Sequence, residues 1–448
     1  MEKLKILFIA GVNPYHFANM LLNGMTALEK EGHEVDFLTV NGFKGQKKNM
    51  FSMYKETLYD KVLRMYRSSK ILVAIKKKIF NKRKLINPAS KSVFIKKNGL
   101  IIVNQNERNS PCDAGLLLSK IQKQYDLVIT AVWENIISAE TLRLIYGKLK
   151  SPIIIIPADM YPITGGCQYP GNCQGYTHEC GCCPILESYD PNDQTHLNFL
   201  YKKQIYNSLP CAFLSNSYMI EKAKKTGLLD DVLIKKSIFT LNEYLYYPHD
   251  VKMCRKKMHI PENKTFIMFA RYISPVIFPR KGILLMVEAI NKLCETKGPD
   301  ELSSMCLILA GEVAEELQDM LLIDIINLGT LDIDNLIKAY SASTVFVSPT
   351  VDDAGPSMVN QSIMCGTPVV CFNIGTAIDV IKNGKNGYRA DLGNPDDLAH
   401  GLEYIYSLNE REYEKMRIQT REIALEMQSL KAFSKRIETT YNELIRKA

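Results

Sequence analysis

Short, nearly unbroken apolar runs recur along the chain, at residues 4–10, 35–40, 100–103, 127–132, 153–156 and 212–215, then again at 265–270, 305–310, 344–347 and 368–372. Runs of this length bounded by Gly, Pro, Ser or Asn read as strands buried on both faces. Between them the spacing turns helical. Phe17, Leu21, Met25 and Leu28 repeat every three to four residues, and residues 139–149 and 283–294 read as further helices. Strands alternating with helices predict a doubly wound α/β architecture. With 448 residues, the chain exceeds the roughly 250–300 at which one hydrophobic core stops growing, so two domains are expected.

Composition narrows the classes. No apolar run reaches the length that spans a bilayer. Residues 4–10 follow Lys3 and Lys5 but end in Val12-Asn13-Pro14-Tyr15-His16, which suits a first strand better than a secretory signal. Twelve cysteines without such a signal argue for a reducing compartment, with Cys211, Cys294 and Cys371 read as small core residues. The net charge of +8 is concentrated: residues 44–97 hold 17 Lys and Arg against Glu56 and Asp60. Tyr54, Leu58, Val62, Leu63 and Tyr66 interleave with these bases at roughly helical spacing, which suits an anionic membrane surface. No nucleic acid is expected, because no RNA- or DNA-binding motif accompanies the charge.

Residues 340–387 carry the chemistry. A buried strand at 344–347 ends in Ser348-Pro349-Thr350, a loop carries Asp353 and Gly355, and a helix begins at Pro356-Ser357 and stops at Cys365-Gly366. A helix mouth with free backbone N–H groups and a positive dipole end is a natural seat for a diphosphate, here around Ser357 and Met358. Gln361, one turn on, is read as reaching back toward that mouth. The stretch resembles the nucleotide-sugar site of the retaining GT-B glycosyltransferases of family four (group 1), in which two Glu stand either side of seven residues, with Cys-Gly-Thr-Pro-Val-Val just after. This chain has Asp353, Pro356, Gln361 and then Cys365 to Val370, so both acids are altered. The resemblance implies two Rossmann-like domains facing across a cleft. Asp353 would hydrogen-bond the transferred sugar, the Gly355-Pro356-Ser357-Met358 backbone would hold its other edge, and Gln361 would grip the ribose.

It extends over nearly the whole chain apart from the basic segment. Arg271 after the strand at 265–270 and Lys281 before Gly282 match the cations that pair with the donor diphosphate, with Arg280 able to substitute for either. Fixed cations would take the charge of the departing nucleoside diphosphate, so no cofactor is required for catalysis. Gly11 closes the first strand where the family's loop faces the donor, although a tight strand-to-helix turn explains it alone. His16 is read as a helix-start contact. Ala158-Asp159-Met160-Tyr161 stands where the nearest branch reads His-Asp-Met-Trp, so the His is lost and Asp159 is assigned a positioning role. The implied domains are an acceptor domain at 1–245, with a basic insertion at 44–98 and a Cys-rich loop at 164–186, a donor-binding domain at 246–425, and a terminal helix at 426–448 crossing back.

The Cys-rich loop holds Cys167, Cys173, Cys180 and Cys183, with Cys182 as an extra residue in the last pair. Four thiols in this spacing could hold a structural zinc ion, while disulfides or unpaired small residues are the rivals. The block also resembles the branch of the family that builds exopolysaccharides, colanic acid and O-antigen. The expected function is therefore transfer of a hexose from a nucleotide-diphosphate sugar to a lipid-linked or oligosaccharide acceptor, with retention, in surface polysaccharide biosynthesis. The enzyme would be cytoplasmic and peripheral on the inner face of the cytoplasmic membrane through residues 44–98. A non-catalytic nucleotide-sugar-binding homologue and a GT-B epimerase are the alternatives.

Overall fold

The computed structural model describes residues 2–12, 16–42, 47–54, 95–97, 100–102, 106–276, 278–314 and 316–447. Almost all of the basic segment at 44–98, and with it the membrane-surface expectation, lies outside the described residues, as does the side chain of His16.

Among the described residues the first domain contains ten strands: β1 (Lys5–Ala10), β2 (Glu34–Asn41), β3 (Met50–Tyr54), β4 (Ile95–Lys97), β5 (Leu100–Ile102), β6 (Leu127–Ala131), β7 (Ile153–Ile156), β8 (Cys167–Tyr169), β9 (Cys211–Ser215) and β10 (Leu233–Lys236). Seven form a parallel sheet in the order β10-β9-β7-β6-β1-β2-β3, and β4, β5 and β8 form a small antiparallel one. The second domain has β11 (Phe266–Arg271), β12 (Met305–Ala310), β13 (Asp324–Gly329), β14 (Val345–Ser348), β15 (Val369–Phe372) and β16 (Gly387–Ala390), all parallel in the order β13-β12-β11-β14-β15-β16. Each strand of the β6, β7, β14 and β15 set is buried along its whole length, which is why these segments show no polar alternation in sequence.

Local signals set the helices. Ser138 caps the helix Ala139–Leu149 by accepting the Thr141 N–H, and Lys150 ends it in the left-handed conformation. Asp193 caps Gln194–Ser208 by accepting from the Thr195 and His196 N–H groups. Both parallel sheets reverse strand order at one point, between β1 and β6 and between β11 and β14. Ligands of such sheets collect beyond the strand C-termini at these points.

The chain passes between the domains twice. After β10, Ile238, Leu241 and Tyr246 are already buried in the core of the second domain, so the first crossing comes before residue 245. The helix Glu410–Gln428 packs on the second domain through Met416 and Ala424, while Leu430–Lys447 puts Leu430, Phe433, Ile437 and Leu444 into the core of the first, so the return comes after residue 425. The two passages are tied together: Leu241 N and Thr240 Oγ1 each donate to Gln428 O at 3.0 Å, and Leu430 N donates to Glu243 Oε2 at 3.0 Å.

A buried ionic network supports the loop after β7. Lys202 Nζ donates to Tyr161 O at 2.7 Å and Thr164 O at 2.9 Å, and lies 3.4 Å from Glu107 Oε1. Glu107 in turn accepts from Tyr161 Oη at 2.5 Å and Ala139 N at 2.7 Å. Both side chains are fully buried, and removing one partner of such a pair costs about 3–5 kcal/mol because the other is left uncompensated. Lys202→Ala is expected to lower the unfolding free energy by that order in guanidinium titration; a loss below about 1 kcal/mol, the range of an exposed pair, would show that the network carries little.

Candidate functional site

The cleft between the domains encloses a cavity of about 290 Å³. Its second-domain wall is built from two loops. Arg271 ends β11 and lines the cavity with its side chain exposed, and among the described residues no carboxylate lies within ion-pair reach of it. The chain then makes a short turn, Pro279–Lys281, followed by Gly282 at φ +67°. A Cβ on Gly282 would sit 1.9 Å from Pro349 O, so the turn presses directly on the loop after β14. Backbone bonds fix that contact: Arg280 O accepts from Val351 N at 2.9 Å, and the Arg280 guanidinium donates to Asp352 O at 2.8 Å.

Asp353 lies against these cations. Lys281 Nζ donates to Asp353 Oδ2 in an ion pair, and Arg280 approaches the same oxygen at 3.5 Å. The other oxygen accepts the Gly355 N–H at 3.0 Å, which curls the loop into the helix Ser357–Met364. No side chain caps that helix, and Gly355, Pro356, Ser357 and Met358 all line the cavity. Two guanidinium groups, an ammonium and an uncapped helix N-terminus therefore share one wall, a setting suited to a diphosphate.

The first domain supplies a less polar wall with Met20, Ile156, Ala158 and Phe239. Tyr169, from β8, places its ring 3.8 Å from the Arg280 guanidinium carbon. Asn216 Nδ2 donates to Ala354 O at 2.6 Å across the cleft. Beside it Asp379, only 2% exposed, accepts from Ser217 N at 2.7 Å and Ser217 Oγ at 2.5 Å and pairs with Lys236 at 2.5 Å. Tyr169, Asn216 and Asp379 were not among the residues assigned from sequence. The Ser215-Asn216-Ser217 turn after a buried strand was the one local signal for Asn216.

Eight of the eleven catalytic and donor-side residues read from the sequence line the cavity: Arg271, Arg280, Lys281, Asp353, Gly355, Pro356, Ser357 and Met358. Three do not. Gly11 donates its N–H to Val132 O at 2.7 Å, and a Cβ on it would lie 1.7 Å from Glu134 O, so its size serves the packing of β1 against the loop after β6. Gln361 is 1% exposed and its Oε1 accepts from Tyr340 Oη at 3.0 Å, which turns it into the core while Asn360 takes the wall. Asp159 stands behind Ala158, where its two oxygens accept from Tyr161 N at 2.9 Å and Gln168 Nε2 at 3.0 Å. Burial pushes its carboxyl up to about 7; the Tyr161 and Gln168 bonds oppose the shift and the nearby Glu134 carboxylate adds to it. Away from the cleft, Cys167, Cys173, Cys180 and Cys183 line a separate cavity of about 20 Å³.

Residues 252–423 match the family described as glycosyl transferases group 1. A relative is an uncharacterized glycosyltransferase, MJ1607, of Methanocaldococcus jannaschii, 24% identical over 158 residues that make up 34% of this chain and 38% of that one. The match thus spans well under half of either protein. Among solved structures, sucrose-phosphate synthase of Thermosynechococcus elongatus aligns over all of both chains with a TM-score of 0.62 at 14% identity. HepE of Anabaena in complex with UDP and glucose aligns over 98% of this chain and all of that one, with a TM-score of 0.61 at 13% identity. The chain has the GT-B architecture, two parallel-sheet α/β domains facing across a cleft.

The raised Asp159 carboxyl gives a signed pH dependence. An unfolded Asp titrates near about pH 3.9, so between that value and about 7 the folded chain holds a proton that the unfolded chain releases, and stability falls as pH rises through the window. Asp159→Asn abolishes that slope. The melting temperature of the variant minus that of the wild type is expected to rise by several degrees from about pH 5 to about pH 8; a flat difference would mean that the folded chain does not hold the extra proton at the lower pH or does not release it by the higher one.

Proposed function

We propose that this chain, whose second domain carries the group 1 glycosyl transferase match, transfers a sugar from a nucleotide-diphosphate donor to a hydroxyl acceptor held by the first domain. The observation that carries the reading is the convergence of Arg271, Arg280 and Lys281 with the uncapped start of Ser357–Met364 on one wall of the cleft. As the glycosidic bond to phosphate breaks, negative charge gathers on the leaving diphosphate. Preorganised cations and backbone N–H groups favour that state more than the ground state. Asp353, held by Lys281 and Gly355 N, would accept a hydrogen bond from a hydroxyl of the sugar. HepE, a structure of the same architecture, is a complex with UDP and glucose, which supports a nucleotide-sugar donor here.

Retention of configuration is part of the proposal. An inverting reaction needs a general base on the face opposite the leaving group, and among the described residues that line the cavity Asp353 is the only carboxylate. Its place is on the donor wall beside the cations. The proton of the acceptor hydroxyl would then go to the departing phosphate oxygen, on the same face as the bond that breaks. The acceptor is proposed as a lipid-linked or oligosaccharide hydroxyl in surface polysaccharide biosynthesis, with residues 44–98 holding the protein at an anionic membrane. Among the described residues no helix is long and apolar enough to cross a membrane. A non-catalytic nucleotide-sugar-binding role is the second reading, favoured by Ala158 on the first-domain wall and by the burial of Gln361.

Melting the protein with UDP, GDP, ADP or CMP in turn, with and without magnesium, tests the site. One nucleoside diphosphate is expected to raise the melting temperature equally in both conditions; a ligand at about a hundred times its Kd adds roughly 2.7 kcal/mol. Arg271→Ala and Lys281→Ala should each weaken that ligand about ten- to hundredfold, the scale of a charge-assisted hydrogen bond. Unchanged affinity in both variants would remove the diphosphate assignment. Turnover of the corresponding nucleotide sugar with an acceptor separates the transferase from the binding protein.

A further inference from the structure

β8 and the loop that joins it to the helix Gln194–Ser208 contain five cysteines, and the fold sorts them. Cys167, Cys173, Cys180 and Cys183 line one cavity of about 20 Å³, room for a single atom and far too small for a sugar or nucleotide. Cys182 is turned away, exposed, with its Sγ directed at Tyr189 O at 3.5 Å. All five are free thiols.

The backbone is arranged around the four sulfurs. Gly165 N points at Cys180 Sγ at 3.2 Å and Gly175 N at Cys173 Sγ at 3.4 Å. Backbone N–H groups aimed at sulfur are the kind of outer partners that orient metal-bound thiolates. The chain also takes an unfavourable path here: Glu179, Cys180, Gly181 and Cys182 all have positive φ, at 64°, 61°, 96° and 45°. Consecutive left-handed residues persist only where the surroundings over-determine them.

We propose that Cys167, Cys173, Cys180 and Cys183 bind one zinc ion as a structural clip, with Cys182 outside the ligand set. Four thiolates are the donor set of structural zinc, and a position with room for a single atom offers no place for substrate. Among the described residues no three His, Cys, Asp or Glu side chains already converge as a metal cluster. The sulfurs line the cavity wall, and entry of the ion draws them inward as four S–Zn bonds form and up to four thiol protons pass to the solvent. Cys167 opens β8 and Tyr169 closes it, so the clip fixes one end of a three-residue strand whose other end meets Arg280 in the cleft.

The test is metal analysis of the full-length protein, purified in reductant without chelator from zinc-supplemented cells. One zinc per chain is expected in the wild type and in Cys182→Ser, and less than a tenth of that in Cys173→Ser. Should Cys173→Ser fail to fold, titration of the wild type with a mercurial in the presence of a chromogenic chelator is expected to release one zinc per chain. Absence of zinc from the wild type, zinc retained in Cys173→Ser, or fewer than the twelve free thiols of the sequence in the denatured, metal-stripped protein would overturn the proposal. None of these readouts involves a nucleotide, so they stand apart from the donor-site reading.

Discussion

Asp353 is 8% exposed, and an ionised carboxylate at that depth is costly unless a cation lies beside it. Its partners, Lys281 and Arg280, come from the segment after β11, whereas Asp353 comes from the loop after β14. The pair exists because β11 and β14 are adjacent in the sheet although more than seventy residues separate them in the chain. Gly282 against Pro349 sets the distance between the two loops, and the carboxylate then orders Gly355 and the helix start behind it. The anion-binding wall is thus a product of the point at which strand order reverses, with the charges filling a geometry the sheet has already made.

Much of this could be read in the chain itself because the information was local. The continuous apolar runs of β6, β7, β14 and β15 mark strands covered on both faces, and Asp353 to Met358 lie so close in sequence that one loop must hold them together. The misplacements share a different cause. Gly11 owes its size to Glu134, more than a hundred residues away, which no local turn signal reveals. Gln361 sits on the face of its helix that meets Tyr340, and the spacing that suggested a reach back to the helix mouth gave no account of that neighbour. Asp159 follows Ala158 at the end of β7, and the change of one residue is enough to exchange the cleft for the Gln168 amide behind it. Tyr169 and Asp379 act between domains, a relation that periodicity does not encode.

The Cys-rich loop and the cleft belong to one mechanical unit. Cys167 and Tyr169 are separated by a single residue on β8, and Gln168 between them holds Asp159 and Glu134 on the other side of the strand. Beneath this the Lys202–Glu107 pair secures the carbonyls of Tyr161 and Thr164. A short strand with few hydrogen bonds of its own therefore presents an aromatic ring to Arg280 from a braced platform, which limits the rotamers open to the guanidinium.

The two passages of chain between the domains run side by side, stitched by Thr240, Leu241 and Glu243 to Gln428 and Leu430. A pair of connections clasped at one place behaves as a door on a single pin. The domains can swing about that line but are poorly placed to slide or twist past each other. The bonds of Asn216 to Ala354 and of Ser217 to Asp379 lie beside β10, close to that line, and opening leaves the cluster of Arg280, Lys281 and Asp353 intact within one leaf.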